Sequence, residues 1–138
     1  MAILGKLGHY SGAGLLIMRI GLGAMMITHG YPKLMGGPDL WTKIGGAMSM
    51  VGINAYPTFW GFMAAFAESI CALFVILGLW FRPACILISF TMMIAAAHHL
   101  TDPKTATPLG DASHAIELAC AFFGLIFVGP GKYSVDKG

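Results

Sequence analysis

The sequence predicts an all-α fold: a single domain over residues 1–138 that forms a four-transmembrane-helix bundle of two hairpins. Three observations predict it. Of the 138 residues, 57% are hydrophobic and 10% are charged, whereas about 25% are charged in an ordinary soluble domain. Mean hydropathy is +0.78, and four apolar segments are long enough to cross a bilayer. So few charges exclude a disordered chain, a coiled coil and a nucleic-acid binder.

The predicted spans lie at about 12–31, 57–80, 83–100 and 112–129. A helix needs about 20 residues to cross the hydrocarbon core, and lipid obliges its backbone groups to bond internally. Pro57 and Pro83 suit the first turns of their helices. Asp111 or Ser113 is a candidate N-cap for the fourth helix, which the Gly-Pro-Gly run from residue 129 ends.

The pattern of the loop between the first two spans predicts that it contains a short helix. This helix lies at the membrane interface or folds back over the bundle. Residues 39–44 and 47–51 have a mildly amphipathic pattern. An exposed loop is the alternative.

The basic residues divide slightly unevenly between the two membrane sides. The side with both termini carries four and the other side three: Lys6, Arg82, Lys132 and Lys137 against Lys33, Lys43 and Lys104. Because positive charge favours the inner side, we expect cytoplasmic termini.

Three charged residues lie inside predicted spans: Arg19, Glu68 and Glu117. Each costs roughly 2.5–3.5 kcal/mol at a helix centre unless it is paired. At about 1.5 Å per residue, Arg19 and Glu68 differ in depth by about 4 Å, so an ion pair between them is within reach. Both glutamates lie on faces of small residues, which mark helix contacts, so we expect both carboxylates to face the bundle interior.

Histidines collect at one end of the predicted bundle. The same depth estimate brings His29, His98 or His99, and His114 to this end, with Glu117 one turn deeper than His114. An ordinary interfacial location is the alternative for each histidine.

A weak internal repeat links the second and fourth spans. The segments that start at Glu68 and Glu117 share the pattern E-x-x-C-A-apolar-F, and Met92-Met93-Ile94 in the third span echoes Met25-Met26-Ile27 in the first. Two parallel hairpins related by an axis along the membrane normal would give this pattern. Chance similarity is the alternative.

A cluster of His, Glu and Arg at a membrane face suits three chemistries. It can bind a quinone head group and exchange protons with it, bind a transition metal, or ligate haem through two histidines such as His29 and His98. No dedicated metal-ligand set is predicted. The spacing alone leaves the three open.

Two segments between about residues 15 and 99 resemble a known family. Arg19-Ile-Gly-Leu-Gly precedes His29-Gly30-Tyr-Pro-Lys33 in the first span, and Ala67-Glu68 precedes the turn Leu77-Gly78-Leu79-Trp80-Phe81-Arg82 and a Met/Ala-rich run to His98. This pattern, over about residues 15–99, resembles the DoxX family of small membrane proteins. The resemblance implies a four-helix protein of the prokaryotic cytoplasmic membrane, linked to membrane redox complexes such as thiosulfate:quinone oxidoreductase.

We therefore expect a small redox-linked membrane subunit with a quinone-type site. In this interpretation Glu68 and Glu117 handle protons, Arg19 holds a glutamate ionised, and the ligand is contacted by His29, Lys33, His98 and His114. A non-catalytic subunit that anchors or assembles a larger complex is the alternative, and a small-molecule or proton transporter is the third. The expected partners are the bilayer and other membrane or redox subunits, or a second copy, but no nucleic acid.

Overall fold

The computed structural model describes residues 2–104 and 106–136, whose regular elements are all helical. The α-helices are α1 (Ala2–Gly5), α2 (Ser11–Met35), α3 (Gly37–Gly45), α4 (Pro57–Phe66), α5 (Ala72–Leu77), α6 (Phe81–Thr101) and α7 (Pro108–Val128). Short 3-10 helices cover Lys6–Tyr10 and Gly46–Val51, and a π-helical turn, Ala67–Cys71, joins α4 to α5.

Four helical stretches are long and apolar enough to cross a membrane: Ile3–Met35, Pro57–Leu77, Phe81–Thr101 and Pro108–Val128. The predicted all-α, four-span fold is therefore confirmed. Large apolar side chains also cover the outside of the bundle, where Ile17 and Phe127 are 71% and 73% exposed. Such a surface suits lipid rather than water.

Three predicted boundaries differ from the structure by three residues or more. The first span continues to Met35, past the predicted end at residue 31, and includes Pro32. The second span ends at Leu77 because Gly78 adopts a left-handed conformation with φ of 68°, and its N–H turns back to the carbonyl of Val75. The fourth helix begins at Pro108, a residue type that suits a first turn. Asp111 and Ser113 are therefore inside the helix, and the prediction that either caps it was wrong.

The spans pack as two hairpins. In the first, α2 packs along α5, the π-helical turn and α4; in the second, α6 packs along α7. The hairpins meet in one apolar core, whose largest fully buried members include Met26, Val75, Phe81, Ile88 and Phe122.

The predicted short helix of the first loop is α3, and it folds back against α4. A Cβ atom on Gly61 would lie 1.6 Å from the carbonyl oxygen of Trp41, and one on Gly45 would lie 1.6 Å from that of Pro57. These two close approaches show that α3 and the start of α4 run antiparallel, with their backbones nearly touching. The indole N–H of Trp41 also donates to the carbonyl of Lys33 at 2.9 Å, which ties α3 to the end of α2.

The segment after α7 folds back over the opposite end of the bundle. The N–H groups of Val135 and Asp136 donate to the carbonyls of Leu77 and Gly78, and the Asp136 carboxylate accepts the N–H of Phe81. The C-terminal segment thus holds the turn between α5 and α6 in place through hydrogen bonds. Lys137, one of the charges behind the predicted orientation, lies outside the described residues, and the orientation itself stays a prediction.

Candidate functional site

A buried ion pair lies between the two helices of the first hairpin. The ammonium group of Lys33 donates to Oε2 of Glu68 at 2.6 Å. Glu68 is 2% exposed, whereas the Lys33 side chain is 36% exposed. Pairing of this kind offsets the cost of a carboxylate inside a span.

The local backbone explains how these two residues meet. A Cβ atom on Gly30 would lie 2.3 Å from the carbonyl carbon of Glu68, so only glycine allows α2 to approach the π-helical turn so closely. Lys33 is three residues beyond Gly30 and therefore on the same face of α2. Glu68 lies within a π-helical turn, a distortion that is frequent at functional sites.

Arg19 is also buried, but it does not pair with Glu68, so the predicted Arg19–Glu68 ion pair was wrong. Its guanidinium donates instead to four backbone carbonyls: Val75 at 3.0 Å, Ile76 at 2.7 Å, Pro130 at 3.0 Å and Tyr133 at 2.7 Å. The last carbonyls of a helix have no partner further along that helix, and in lipid such groups are costly. Arg19 therefore caps the end of α5 and fastens the C-terminal segment to it.

An apolar cavity of about 180 Å³ lies beside the Lys33–Glu68 pair. Its walls come from α3, the 3-10 helix after it, α4 and α6, and they include the aromatic side chains of Trp60 and Phe90. Lys33 and Glu68 supply charged groups to a lining that is otherwise nearly all hydrophobic. An apolar pocket with a few convergent polar groups is the usual form of a small-molecule site.

A second, polar cavity of about 230 Å³ lies on the other side of the same ion pair, between α2, α6 and α7. Its polar lining residues, besides the pair, are His29, His99, Asp111 and His114. Lys33 and Glu68 line both cavities, so they form part of the wall between them.

Two histidines of the polar cavity contact each other. The Nε2 atoms of His29 and His114 are 3.3 Å apart, and the ring centroids are 5.1 Å apart. A hydrogen bond between two Nε2 atoms needs the hydrogen on one of them and a free lone pair on the other, and this contact brings α2 and α7 together at the cavity.

Of the two histidines predicted for the third span, His99 joins this group and His98 does not. His99 lines the polar cavity, whereas His98 lines a separate depression beside Lys43. The His29–His98 arrangement predicted as one way to hold haem is therefore not formed. Within the described residues, no group of three or more His, Cys, Asp and Glu side chains is arranged to hold a metal ion.

Glu117 lies away from both cavities. It is exposed on α7, whereas Ala115 and Leu118 of the same helix line the polar cavity. The expectation that both glutamates face the bundle interior is thus correct for Glu68 and wrong for Glu117. The inward face of α7 carries the buried residues Ala112, Ala115, Leu118, Phe122 and Leu125. Asp111 and His114 line the polar cavity at its exposed edge.

Asp111 is the lining residue that sequence reasoning missed, because it was interpreted as a helix cap. Its i,i+3 spacing to His114 was the available signal, since residues three apart share a helix face.

Comparison with known proteins gives one finding. The DoxX family model matches residues 14–100, more than half of the chain. This range includes Arg19, the Lys33–Glu68 pair and the whole lining of the apolar cavity, but not α7. The chain matches none of the curated proteins or solved structures with which it was compared.

Proposed function

The chain belongs to the DoxX family of membrane proteins, and we propose that it is a redox-linked membrane subunit that binds a quinone-type ring in the apolar cavity. One observation carries the proposal. The Lys33–Glu68 pair lies in the wall between the apolar cavity and the polar, histidine-lined cavity. A ring in the first cavity would therefore meet charged groups that also face the second.

The dimensions and lining of the apolar cavity support a single ring. An apolar cavity of about 150 Å³ binds benzene, so about 180 Å³ suits one six-membered ring with small substituents. Trp60 and Phe90 offer aromatic faces for stacking. A hydrophobic tail on the ring would extend into the surrounding lipid.

The residues around the ring have separate roles in this proposal. Lys33 donates a hydrogen bond to a ring oxygen, and Glu68 exchanges protons with it. A bound quinone would supply two-electron, two-proton chemistry. The His29–His114 pair and His99, on the other side of Glu68, pass protons between Glu68 and the nearby membrane surface.

Ring binding tests the proposal directly. Because Trp60 lines the cavity, a short-tailed benzoquinone added to the purified protein in detergent should quench tryptophan fluorescence, and W60F should lose that part of the signal. K33M and E68Q should each weaken binding by at least about 10-fold, since a hydrogen bond from or to a charged group contributes about 1.5–3 kcal/mol.

A matched pair of substitutions separates the cavity from general effects on the membrane protein. A64F fills the apolar cavity and should abolish quenching, whereas A24F adds the same ring to the exposed face of α2 and should leave it unchanged. Equal quenching in the wild type, A64F and K33M would contradict the proposal.

The outward position of Glu117 favours a second candidate function, a non-catalytic subunit that anchors or assembles a larger complex. In that case the Lys33–Glu68 pair only fixes the helices, and the double variant K33M/E68L should still co-purify with the complex. Loss of the complex in this variant would count against the candidate.

We further propose that the protein lies in the prokaryotic cytoplasmic membrane with its termini on the cytoplasmic side, supported by its family and by the bias of basic residues. Alkaline phosphatase, which is active only outside the cytoplasm, should be inactive when it is fused to the C-terminus. Activity of that fusion would reverse the orientation.

A further inference from the structure

Glu117 carries a carboxylate in the middle of a span, on a surface that would face lipid. It lies nine residues after Pro108 and eleven before Val128, which places it about 14 Å from one end of α7 and about 16 Å from the other. Its side chain is exposed, and among the described residues it has no hydrogen-bond or ion-pair partner. Ionisable residues at such depth almost always face a partner or a water-filled cavity.

No exposed Lys or Arg side chain of the described residues lies at the depth of this carboxylate. The exposed basic residues of the described part lie near span ends or in loops: Lys6, Lys43, Arg82, Lys104 and Lys132. Lys33 is engaged by Glu68, and Arg19 is buried with its donors on backbone carbonyls. The described residues therefore leave Glu117 open to a partner from another polypeptide.

The surface around Glu117 is shaped for the close approach of another helix. Ala121 and Gly124 follow Glu117 at i+4 and i+7, on the same face of α7. A Cβ atom on Gly124 would meet no atom within 4 Å, so the described residues leave this position open, and Ala121 beside it is half-buried. Small residues in membrane helices allow backbones to approach and polar side chains to bond between helices.

We propose that the α7 face formed by Glu117, Ala121 and Gly124 binds a transmembrane helix of a different polypeptide, and that this helix places a Lys or Arg side chain against Glu117. Charge complementarity selects this partner. A two-fold contact between two copies would instead oppose Glu117 to Glu117, and the exposed cations of a second copy lie far from that depth. The proposal is independent of quinone binding, because Glu117 lines neither cavity.

Two synthetic peptides test the proposal. Each is a membrane-spanning helix of leucine and alanine with a dansyl label, and they differ only in a central arginine or a central leucine. In phosphatidylcholine vesicles that contain the full-length protein, energy transfer from its tryptophans reports association. The arginine peptide should bind roughly 10-fold more tightly than the leucine peptide, in the range of interhelical polar contacts in model peptides.

Substitutions on two faces provide the controls. E117Q, which keeps the size of the side chain, and G124L, which fills the small face, should each remove the preference for the arginine peptide. G21L is the matched control, because Gly21 is equally open on the outward face of α2, and it should keep the preference.

Three results would overturn the proposal. The first is equal association of both peptides with the wild type, and the second is an undiminished preference in E117Q. The third is cross-linking of two copies that E117Q abolishes, because it would make the occupant a second copy of this chain. Failure of quinone binding has no bearing on any of the three readouts.

Discussion

Glu68 and Glu117 begin the same sequence pattern and lie at similar depth in their spans, yet they differ in burial and in pairing. Glu68 is 2% exposed and paired with Lys33, whereas Glu117 is exposed and has no partner in the described residues. The cysteines three residues later follow the same division, since Cys71 is buried and Cys120 is exposed. Local sequence is therefore a poor guide to the environment of either glutamate.

The difference comes from the neighbouring helix. The second span packs against α2, whose Gly30 allows contact with the backbone of Glu68 and whose Lys33 neutralises the carboxylate. On the fourth span, the side that carries Glu117 faces outward instead. A charged side chain on a helix face that packs against the rest of the chain belongs to a site within the chain. A charged side chain on a helix face without a neighbouring helix indicates a partner.

Removing Lys33 from its pair with Glu68 gives the largest expected effect on the free energy of unfolding. K33M should lower the free energy of unfolding by about 2–3 kcal/mol, because it leaves the buried Glu68 carboxylate without its cation. We place this below the full cost of breaking a buried pair because Lys33 is about one-third exposed. Titration of the protein in mixed micelles with sodium dodecyl sulfate, followed by circular dichroism, measures the change.

The double variant K33M/E68L serves as the control for this measurement. Replacing both charges with apolar side chains should restore the free energy of unfolding to within about 1 kcal/mol of the wild type. If the single and double variants unfold alike, the destabilisation comes from packing and not from an unpaired charge.

A substitution that pushes α2 away from the π-helical turn gives the next largest expected effect on the free energy of unfolding. G30A should cost about 1–3 kcal/mol, the range for overpacking, because its new methyl group would overlap the backbone of Glu68. G21A makes the same substitution on the open side of the same helix and should not lower the free energy of unfolding, because alanine is the better helix former and its methyl group meets no other atom. Equal effects at both positions would show that Gly30 serves backbone flexibility rather than close contact.

The four spans and the folded-back helix follow from the sequence because they depend on hydropathy, length and proline positions, all of which are local. Relative depth was estimated wrongly for Arg19 and Glu68, because the count began at the predicted span ends and not at the contacts between the helices. In the structure Glu68 packs against Gly30, which lies eleven residues, or about 16 Å, from Arg19 along α2, and Arg19 lies level with Val75 and Ile76 instead.

The carbonyl groups that bind Arg19 are brought together by long-range features of the fold. The early end of α5 and the return of the C-terminal segment supply carbonyls to Arg19, and hydropathy reports neither. For Glu68, the sequence did contain a signal: Gly30 and Lys33 share a face of α2, and a small residue beside a cation marks where another helix can approach a charge. For Glu117, small neighbours were interpreted as a contact inside the bundle, although they serve an outer contact equally well.

Substitution of the exposed Glu117 gives the smallest expected effect on the free energy of unfolding, and this small effect distinguishes it from Glu68. E117L should change the free energy of unfolding of the isolated protein by less than about 0.5 kcal/mol. The reason is that residue 117 faces the detergent or lipid in the folded bundle and also when the helices separate, so the cost of its charge cancels between the two states. The same titration used for K33M measures it. A loss of more than about 1 kcal/mol in E117L would mean that Glu117 has a partner within the folded chain, and the contrast between the two glutamates would then disappear.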